Sequence, residues 1–433
     1  MKSKRKIHIL SLLLCAVLLV SVLSGCSSKE NFIYTQPEES AAPQTSLTFF
    51  GFKYEALNVM EIEKILYSYM TLHSDINISY DGIKTPDYFA VLNKRLETDN
   101  GDDIFMVDHE RTLELGRQKR LADLSDLSTL DNFSDLAKSQ IFADGAVDYL
   151  PTTVSAFGLY CNLDLLSAHG QAVPQNLAEF EAVCDYFVSQ GITPIVANND
   201  ISLKTVVLAK SLLPLYQSED IAAKIERFNS GQDDFSQALL PGFELVEKML
   251  RRGWVNGEEA LGVSKTKDDL VLFAQGERPF MLTGVWATVR LRELQPDFQF
   301  AVYPYPIMED GSVLVVNMDT RISINAESPH IEEAKRFVEY LTQDDVLWSF
   351  VNNQSSFSPL QESRLADDQA IQPISPYLTN GRSVLGSDDN LRFPVWDMTR
   401  QCITGMLSGD SAETAAAAMR RLFAEWKNAE TEG

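Results

Sequence analysis

Residues 47–50, 76–80 and 104–107 read LTFF, INISY and IFMV, three short runs that are typical of β-strands. Between residues 57 and 70, apolar residues recur at three- and four-residue spacing, which indicates an amphipathic helix. A second helix is predicted from about residue 87 to residue 98, before the third strand. Strands and helices that alternate in this order are typical of a right-handed parallel sheet. The sequence therefore predicts an α/β fold.

The rest of the chain is more helical, and short strands return beyond its middle. Strand-like runs occupy residues 279–282, 298–302, 313–316 and 322–324, and helical patterns close the chain at 331–341 and 412–426. Strands that return after a long helical insertion indicate two lobes with a cleft between them, where small ligands preferentially bind. The predicted N-terminal lobe comprises residues 46–151 and 279–328, and the predicted C-terminal lobe comprises residues 152–278 and 329–433.

The first 26 residues have the layout of a secretory signal followed by a lipidation site. Basic residues between Lys2 and Lys6 precede an apolar run from Ile7 to Leu23. Leu23-Ser24-Gly25-Cys26 resembles the bacterial lipobox, in which the cysteine is diacylated and becomes the first residue. An uncleaved helical anchor is the alternative, because the run is only slightly shorter than the roughly 20 residues that span a bilayer. We predict a signal peptide over 1–25, a lipid on Cys26 and a flexible tether over 26–45, which place the protein at the extracytoplasmic face of the cell membrane.

Charge and cysteine content exclude two further classes of protein. The chain carries 37 Lys and Arg against 61 Asp and Glu, a formal net charge of −24. A surface this acidic repels nucleic acid, so no nucleic acid is expected as a partner. The cysteines beyond the lipobox are Cys161, Cys184 and Cys402, and none lies in a CxxC pair. Disulfide stapling is therefore not the basis of the fold, although a single bridge stays open.

Common catalytic and metal-binding motifs are absent from the sequence. It contains no HExxH, CxxC, Walker A, GxSxG or GxGxxG pattern, so we predict no catalytic residue, no metal site and no cofactor. Acidic pairs such as Asp102-Asp103, Asp268-Asp269 and Asp388-Asp389 are interpreted as solvated turns or helix caps. Because a glycosidase needs two carboxylates about 5–10 Å apart, a carbohydrate hydrolase or lyase remains an alternative.

A series of short motifs resembles one family of binding proteins. In chain order these motifs are Leu121-Ala122-Asp123-Leu124, Phe157-Gly158-Leu159-Tyr160-Cys161-Asn162, Gly191-Ile192-Thr193-Pro194-Ile195, Phe273-Ala274-Gln275-Gly276 and Met281-Leu282-Thr283-Gly284-Val285-Trp286. From Ser46 onward the chain is similar to extracellular solute-binding protein family 1, the sugar-binding lipoproteins of ABC importers. The resemblance implies a bilobed periplasmic-binding-protein fold of type II, with two α/β lobes joined by a hinge and a helical C-terminal region.

Aromatic residues near strand ends are the first candidates for ligand contact, because one face of a sugar ring is apolar and stacks on aromatic side chains. Trp286 follows a predicted strand and loop and matches a family tryptophan that commonly contacts sugar. Tyr160 lies at a strand end near the predicted crossover. Burial in the hinge or in the core is the alternative for both residues. Phe357 and Trp396 are interpreted as core residues.

Charged residues that follow strands are the second set of candidates, because hydroxyl groups need carboxylates, ammonium groups and guanidinium forks. Lys53 and Glu55 lie in the loop after the first strand, although Glu55 could instead stabilise the start of a helix. Asp108 follows the third strand. Asp319 and Arg321 lie between two short strands, where Arg321 could fork two hydroxyls. A weak surface pair of Asp319 and Arg321 is the alternative.

The resemblance implies capture of a small sugar or sugar derivative by closure of two lobes, followed by docking on ABC permease subunits. Ligand favours the closed state because only that state contacts it from both lobes. No chemistry is implied. The alternatives are the hydrolase or lyase and a ligand sensor for a membrane kinase.

Overall fold

The computed structural model describes residues 45–84, 87–98, 101–143, 145–361, 364 and 366–432. The predicted signal peptide, the predicted lipidation site Cys26 and all but the last residue of the predicted tether lie outside the described residues. The first strand begins at Thr45, where that tether is predicted to end. Within the described part of the chain, no helix is both long and apolar enough to span a bilayer.

Ten strands are present among the described residues. They are β1 (Thr45–Gly51), β2 (Ile76–Gly82), β3 (Ile104–Val107), β4 (Leu150–Asn162), β5 (Ile195–Val196), β6 (Phe280–Gly284), β7 (Phe300–Tyr303), β8 (Tyr305–Met308), β9 (Gly311–Ile324) and β10 (Ser383–Leu385).

The helices of the first half are α1 (Ala56–Leu72), α2 (Asp87–Leu96), α3 (His109–Arg117), α4 (Asp135–Ile141), α5 (Leu163–Ala168), α6 (Leu177–Ser189), α7 (Ser202–Tyr216) and α8 (Ile221–Asn229). Those of the second half are α9 (Phe235–Arg251), α10 (Gly257–Gly262), α11 (Asp268–Ala274), α12 (Ala287–Glu293), α13 (Ile331–Leu341), α14 (Asp344–Asn353), α15 (Val395–Leu407) and α16 (Ala412–Glu432). Short 3-10 helices cover Ser128–Asn132 and Gln369–Leu378.

The predicted alternation at the start of the chain is confirmed. β1 pairs in parallel with both β2 and β3, and α1 and α2 are the connections between these strands. The buried residues of α1 recur at the helical spacing seen in the sequence, which turns one face of the helix toward the sheet. The sequence did not reveal the order of the strands, which is β2-β1-β3-β9-β4-β6-β5.

Two long strands join the parallel parts of the sheet. β9 runs antiparallel between β3 and β4, and β4 runs antiparallel to β6. Because side chains alternate along a strand, β4 serves two cores, with Tyr160 in one and its neighbours Leu159 and Cys161 in the other. The first core contains the interior of β1–β3, and the second lies among α6, α7, α9, α15 and α16.

The positions of two segments differ from the predicted division into lobes. The lobe boundaries otherwise remain a prediction. β6 lies between β4 and β5, on the far side of β9 from β1–β3. α13 and α14 bury Phe337 and Phe350 in the first core and pack against α1, although residues 329–433 belong to the predicted C-terminal lobe. Hydrophobic spacing reveals that a helix has a buried face, but it does not reveal which core that face contacts.

Candidate functional site

The loop after β1 brings together three of the predicted ligand residues. Lys53, Glu55 and Asp319 interact electrostatically, together with Arg290 of α12, and all are partly exposed. Burial lowers the pKa of the Lys53 ammonium, and the nearby carboxylates of Asp319 and Glu55 oppose that shift. Asp319 accepts a hydrogen bond of 2.7 Å from the Ser155 hydroxyl on β4. The result is a compact group of partly exposed side chains that carry charges of both signs.

Glu55 also ties this loop to the start of α12. Its carboxylate forms an ion pair with Arg290 and accepts a hydrogen bond of 3.0 Å from Asn58. Because α12 begins directly after Trp286, this ion pair brings the loop after β1 close to that tryptophan. The alternative prediction was that Glu55 only stabilises the start of α1. That role does not account for the ion pair with Arg290.

A pair of carboxylates lies at the start of α3. Asp108 caps the helix by accepting a hydrogen bond of 2.8 Å from the Arg111 amide. Burial and the neighbouring Glu110 raise the pKa of the Asp108 carboxyl to about 6, against the opposing effect of Arg321. The Oε1 atom of Glu110 is buried and has no hydrogen-bond partner among the described residues. This end of α3 therefore has unused capacity to accept hydrogen bonds.

An aromatic group formed by Trp286, Phe157 and Trp396 lies beside the polar residues. The ring centre of Phe157 is 5.3 Å from that of Trp286 and 5.2 Å from that of Trp396. Both tryptophans are partly exposed, whereas Phe157 is buried between them. Trp396, interpreted from the sequence as a core residue, does pack against the second core, but like Trp286 it keeps part of its surface exposed and contacts Phe157.

Glycines support both tryptophan rings. A Cβ atom on Gly284 would lie 2.1 Å from the Trp286 ring, and one on Gly386 would lie 2.5 Å from the Trp396 ring. Only glycine leaves room for an indole this close to the backbone. One side of each ring therefore lies against backbone.

Lys204 of α7 links the aromatic group to the acidic start of α3. Its ammonium lies 4.0 Å from the centre of the Trp396 ring and 2.8 Å from the Asp200 carboxylate. Burial lowers the pKa of Lys204 to about 8, and Asp200 and the more distant Glu110 oppose this shift. The polar residues of α3 and the aromatic rings thus share one neighbourhood.

Two predicted ligand residues are buried elsewhere. Tyr160 has no exposed surface, donates a hydrogen bond of 2.8 Å to the Gly284 carbonyl and stacks on Phe300. Arg321 is 1% exposed and forms a 2.6 Å ion pair with Asp389. Both side chains point into the interior because of their position in the alternation of β4 and β9. Their burial argues against direct ligand contact, and the predicted surface pair of Asp319 and Arg321 is not observed.

The acidic pairs were expected to be solvated turns or helix caps, and the structure agrees only for the pair Asp268-Asp269, which lies in the first turn of α11. Asp102, Asp103, Asp269, Asp388 and Asp389 are buried, and Asp268 is partly exposed. The cysteines at 161, 184 and 402 are buried free thiols. Within the described ranges, no group of three or more His, Cys, Asp or Glu residues could hold a metal ion.

Comparisons with known proteins agree with this architecture. The sequence profile of the family described as bacterial extracellular solute-binding protein matches residues 64–373. A multiple sugar-binding protein of Streptococcus mutans is 21% identical over 379 residues, which are 87% of each chain. Among solved structures, a family 1 extracellular solute-binding protein from Bifidobacterium longum subsp. infantis is 20% identical with a TM-score of 0.71, and the match covers 88% of this chain and 99% of that one.

A second structural relative is the apo form of RafE from Streptococcus pneumoniae. It is 19% identical with a TM-score of 0.70, and the match covers 89% of this chain and 99% of RafE. These likenesses confirm the predicted α/β fold of type II solute-binding proteins. The chain belongs to the bacterial extracellular solute-binding protein family. Its place of action is therefore outside the cytoplasm.

Proposed function

We propose that the protein binds a small carbohydrate at the aromatic group and delivers it to an ABC importer. One observation carries this proposal: Trp286 and Trp396 are partly exposed, lie against glycine backbone and are flanked by charged residues. The apolar C–H face of a sugar ring can stack on an indole, while its hydroxyls bond to carboxylates and ammonium groups. Lys53, Asp319 and Glu110 supply such groups in the same neighbourhood.

The ligands of related proteins support this assignment. The relative from Streptococcus mutans is a multiple sugar-binding protein. RafE has been solved in complex with raffinose, and a sugar transporter component of Bacillus licheniformis in complex with stachyose. Both structures share the fold of this chain over 87% of its length. An oligosaccharide of two to four rings is therefore the first ligand class to test.

The membrane attachment that we propose rests on the sequence. A diacylated Cys26 would hold the protein at the outer face of the cell membrane, since two acyl chains give stable anchoring where one does not. The tether would raise the effective concentration of the binding body near the permease subunits of the importer.

The experiment that tests this function is thermal unfolding of the purified chain in the presence of raffinose, stachyose, sugar acids and short peptides. A ligand at a hundred times its dissociation constant stabilises the folded state by about 2.7 kcal/mol. We expect a concentration-dependent rise of the unfolding midpoint with an oligosaccharide, which is recovered unchanged. Consumption of the sugar would instead indicate a hydrolase or lyase, and a rise only with peptides would overturn the carbohydrate assignment. Uptake of the bound sugar by cells with and without the gene separates transport from sensing.

A further inference from the structure

Asp389 is the centre of a buried polar network that lies apart from the aromatic group. Its carboxylate accepts hydrogen bonds from Arg321 Nη1 at 2.6 Å and from the Tyr149 hydroxyl at 2.5 Å. His109 Nδ1 lies 2.7 Å from the same carboxylate and donates to it, because a carboxylate can only accept. The amide of Asp389 donates to Gln140 Oε1 at 2.7 Å. One residue thus joins four separate parts of the chain.

The partners of Asp389 lie on the β3 side of the sheet. Arg321 pairs with Val107 of β3 in the sheet, and His109 begins the helix that follows this strand. Gln140 belongs to α4, which buries its apolar residues in the first core. Tyr149, directly before β4, is also in the first core. All four contacts of Asp389 therefore reach toward the part of the molecule that contains β1–β3.

The segment that carries Asp389 belongs to the other side. Leu391 and Phe393 follow it and are buried in the second core, and α15 begins at Val395. The preceding residue, Asp388, accepts a hydrogen bond of 2.6 Å from the Tyr216 hydroxyl of α7, a helix of the second core. Asp388 and Asp389 thus connect residues next to the first core with residues next to the second core.

The network requires the Asp389 charge. Burial alone would raise the pKa of Asp389, but Arg321 and His109 hold it well below the usual range. Arg321 Nη2 and His109 Nε2 are buried and have no hydrogen-bond partner within the described part of the chain. Loss of the carboxylate would leave the buried guanidinium of Arg321 without its counter-charge, which is unfavourable in a medium of low polarity.

Two candidate ligand groups flank this connection. His109 lies between Asp108 and Glu110, the carboxylates at the start of α3. On the other side, the segment of Asp389 leads within seven residues to Trp396. A contact between His109 and Asp389 therefore sets the position of the acidic start of α3 relative to the aromatic group.

We propose that Asp389 is a positioning residue for ligand capture, which acts through His109 and Arg321 without touching the ligand. By holding the segment of Trp396 against the helix of Asp108 and Glu110, it favours the conformation in which the two halves of the site have the separation seen here. The effect on affinity rests on the function proposed above, whereas the effect on the separation does not.

The test measures the separation directly. In the full chain in detergent, Glu63→Cys on α1 and Glu413→Cys on α16 provide exposed spin-label positions on the two sides. The distance distribution between the labels is recorded for the unchanged background and for Asp389→Asn, His109→Gln and Tyr149→Phe. We expect a broader or shifted distribution in all three variants, largest for Asp389→Asn. The matched control is Asp233→Asn, which removes a partly exposed carboxylate paired with Arg227.

Raffinose is the probe for the second arm, in which calorimetric affinities are corrected for the folded fraction. We expect Asp389→Asn to weaken raffinose binding by about tenfold, within the range of coupling between distant sites. Unchanged distances in the folded variants overturn the proposal, and if Asp389→Asn does not fold, the other two variants decide in the same way. Raffinose binding by the folded fraction at the unchanged affinity also overturns it. A chain that binds no raffinose but shows the altered distances supports the positioning role and counts against the sugar chosen.

Discussion

The aromatic group with its charged neighbours and the network around Asp389 both combine aromatic and charged side chains, but the two regions serve different functions. In the first, Trp286 and Trp396 keep part of their surface exposed, and the nearby Glu110 has a carboxylate oxygen without a protein partner. In the second, Asp389 is 5% exposed and both of its carboxylate oxygens accept hydrogen bonds. The buried Asp389 carboxylate, whose oxygens both have partners, stabilises one arrangement of the chain, whereas the partly exposed tryptophans can bind a ligand. Exposure, more than residue type, separates the two regions.

The largest effect is expected from Arg321→Met, which leaves the Asp389 carboxylate buried without its guanidinium. Breaking a buried pair by removing one partner costs about 3–5 kcal/mol of stability. Urea unfolding followed by circular dichroism measures this loss. If the free energy of unfolding falls by less than about 1 kcal/mol, the network does not have the role in stability described here.

Trp286→Ala should show the opposite pattern, with a large loss of binding and a small loss of stability. A central aromatic contact typically contributes about 2 kcal/mol or more to binding, so the dissociation constant for the bound oligosaccharide should rise at least about thirtyfold. Titration calorimetry measures it. The matched control is Trp348→Ala, since Trp348 is also partly exposed but lies on α14 beside Arg364. Equal losses in both variants would contradict the assignment of the site.

The pH dependence of stability tests the role of Asp108, a candidate ligand residue that is partly buried. Its pKa is about 6 in the folded protein, above the usual 3.8, so the folded state holds the proton more tightly than the unfolded state. Asp108 therefore favours folding at low pH, and this contribution is lost as the pH rises from about 4 to about 6. Asp108→Asn removes the titrating group. Across this pH range the free energy of unfolding of the variant should therefore change by about 1–3 kcal/mol less than that of the original protein. Unfolding midpoints at pH 4, 5, 6 and 7 measure the difference, and parallel curves for the two proteins would refute it.

The smallest effect is expected at an exposed ion pair. Asp233→Asn removes the partner of Arg227, and both side chains are substantially exposed. Water and salt screen such pairs, so the free energy of unfolding should stay within the error of the measurement. The same urea titration applies. A larger loss would mean that exposure is not the property that separates strong from weak ion pairs in this protein.

Local features of the fold could be predicted from the sequence. The strands near residues 47, 76 and 104 and the helices between them follow from the spacing of apolar residues, which depends only on neighbours along the chain. The order of the strands could not be predicted in this way. Strand β9 inserts between β3 and β4, and nothing in residues 311–324 alone specifies those neighbours.

The sequence likewise predicted only the part of the candidate site that depends on local features of the chain. Lys53, Glu55 and Asp319 do come together, because Lys53 and Glu55 follow β1 and Asp319 lies in β9 of the same sheet. The two short strands predicted on either side of Asp319 and Arg321 are one continuous strand, β9. Arg321 was misplaced because its partner Asp389 lies 68 residues away in the chain. The position of Trp396 depends on Gly386 and Phe157, and Phe157 is more than two hundred residues distant along the chain. Contacts of this length are set by the tertiary fold, which a single sequence does not display.

The arrangement of Phe157 between two indoles has an optical consequence. The fluorescence of an indole depends on the charges and the water next to it, and Lys204 lies 4.0 Å from the centre of the Trp396 ring. A sugar that covers Trp286 or Trp396 would displace water and alter the emission, whereas Trp254, which has no exposed surface, would give a constant background. The protein thus contains an intrinsic reporter, and ligands can be screened by emission spectra without any attached dye.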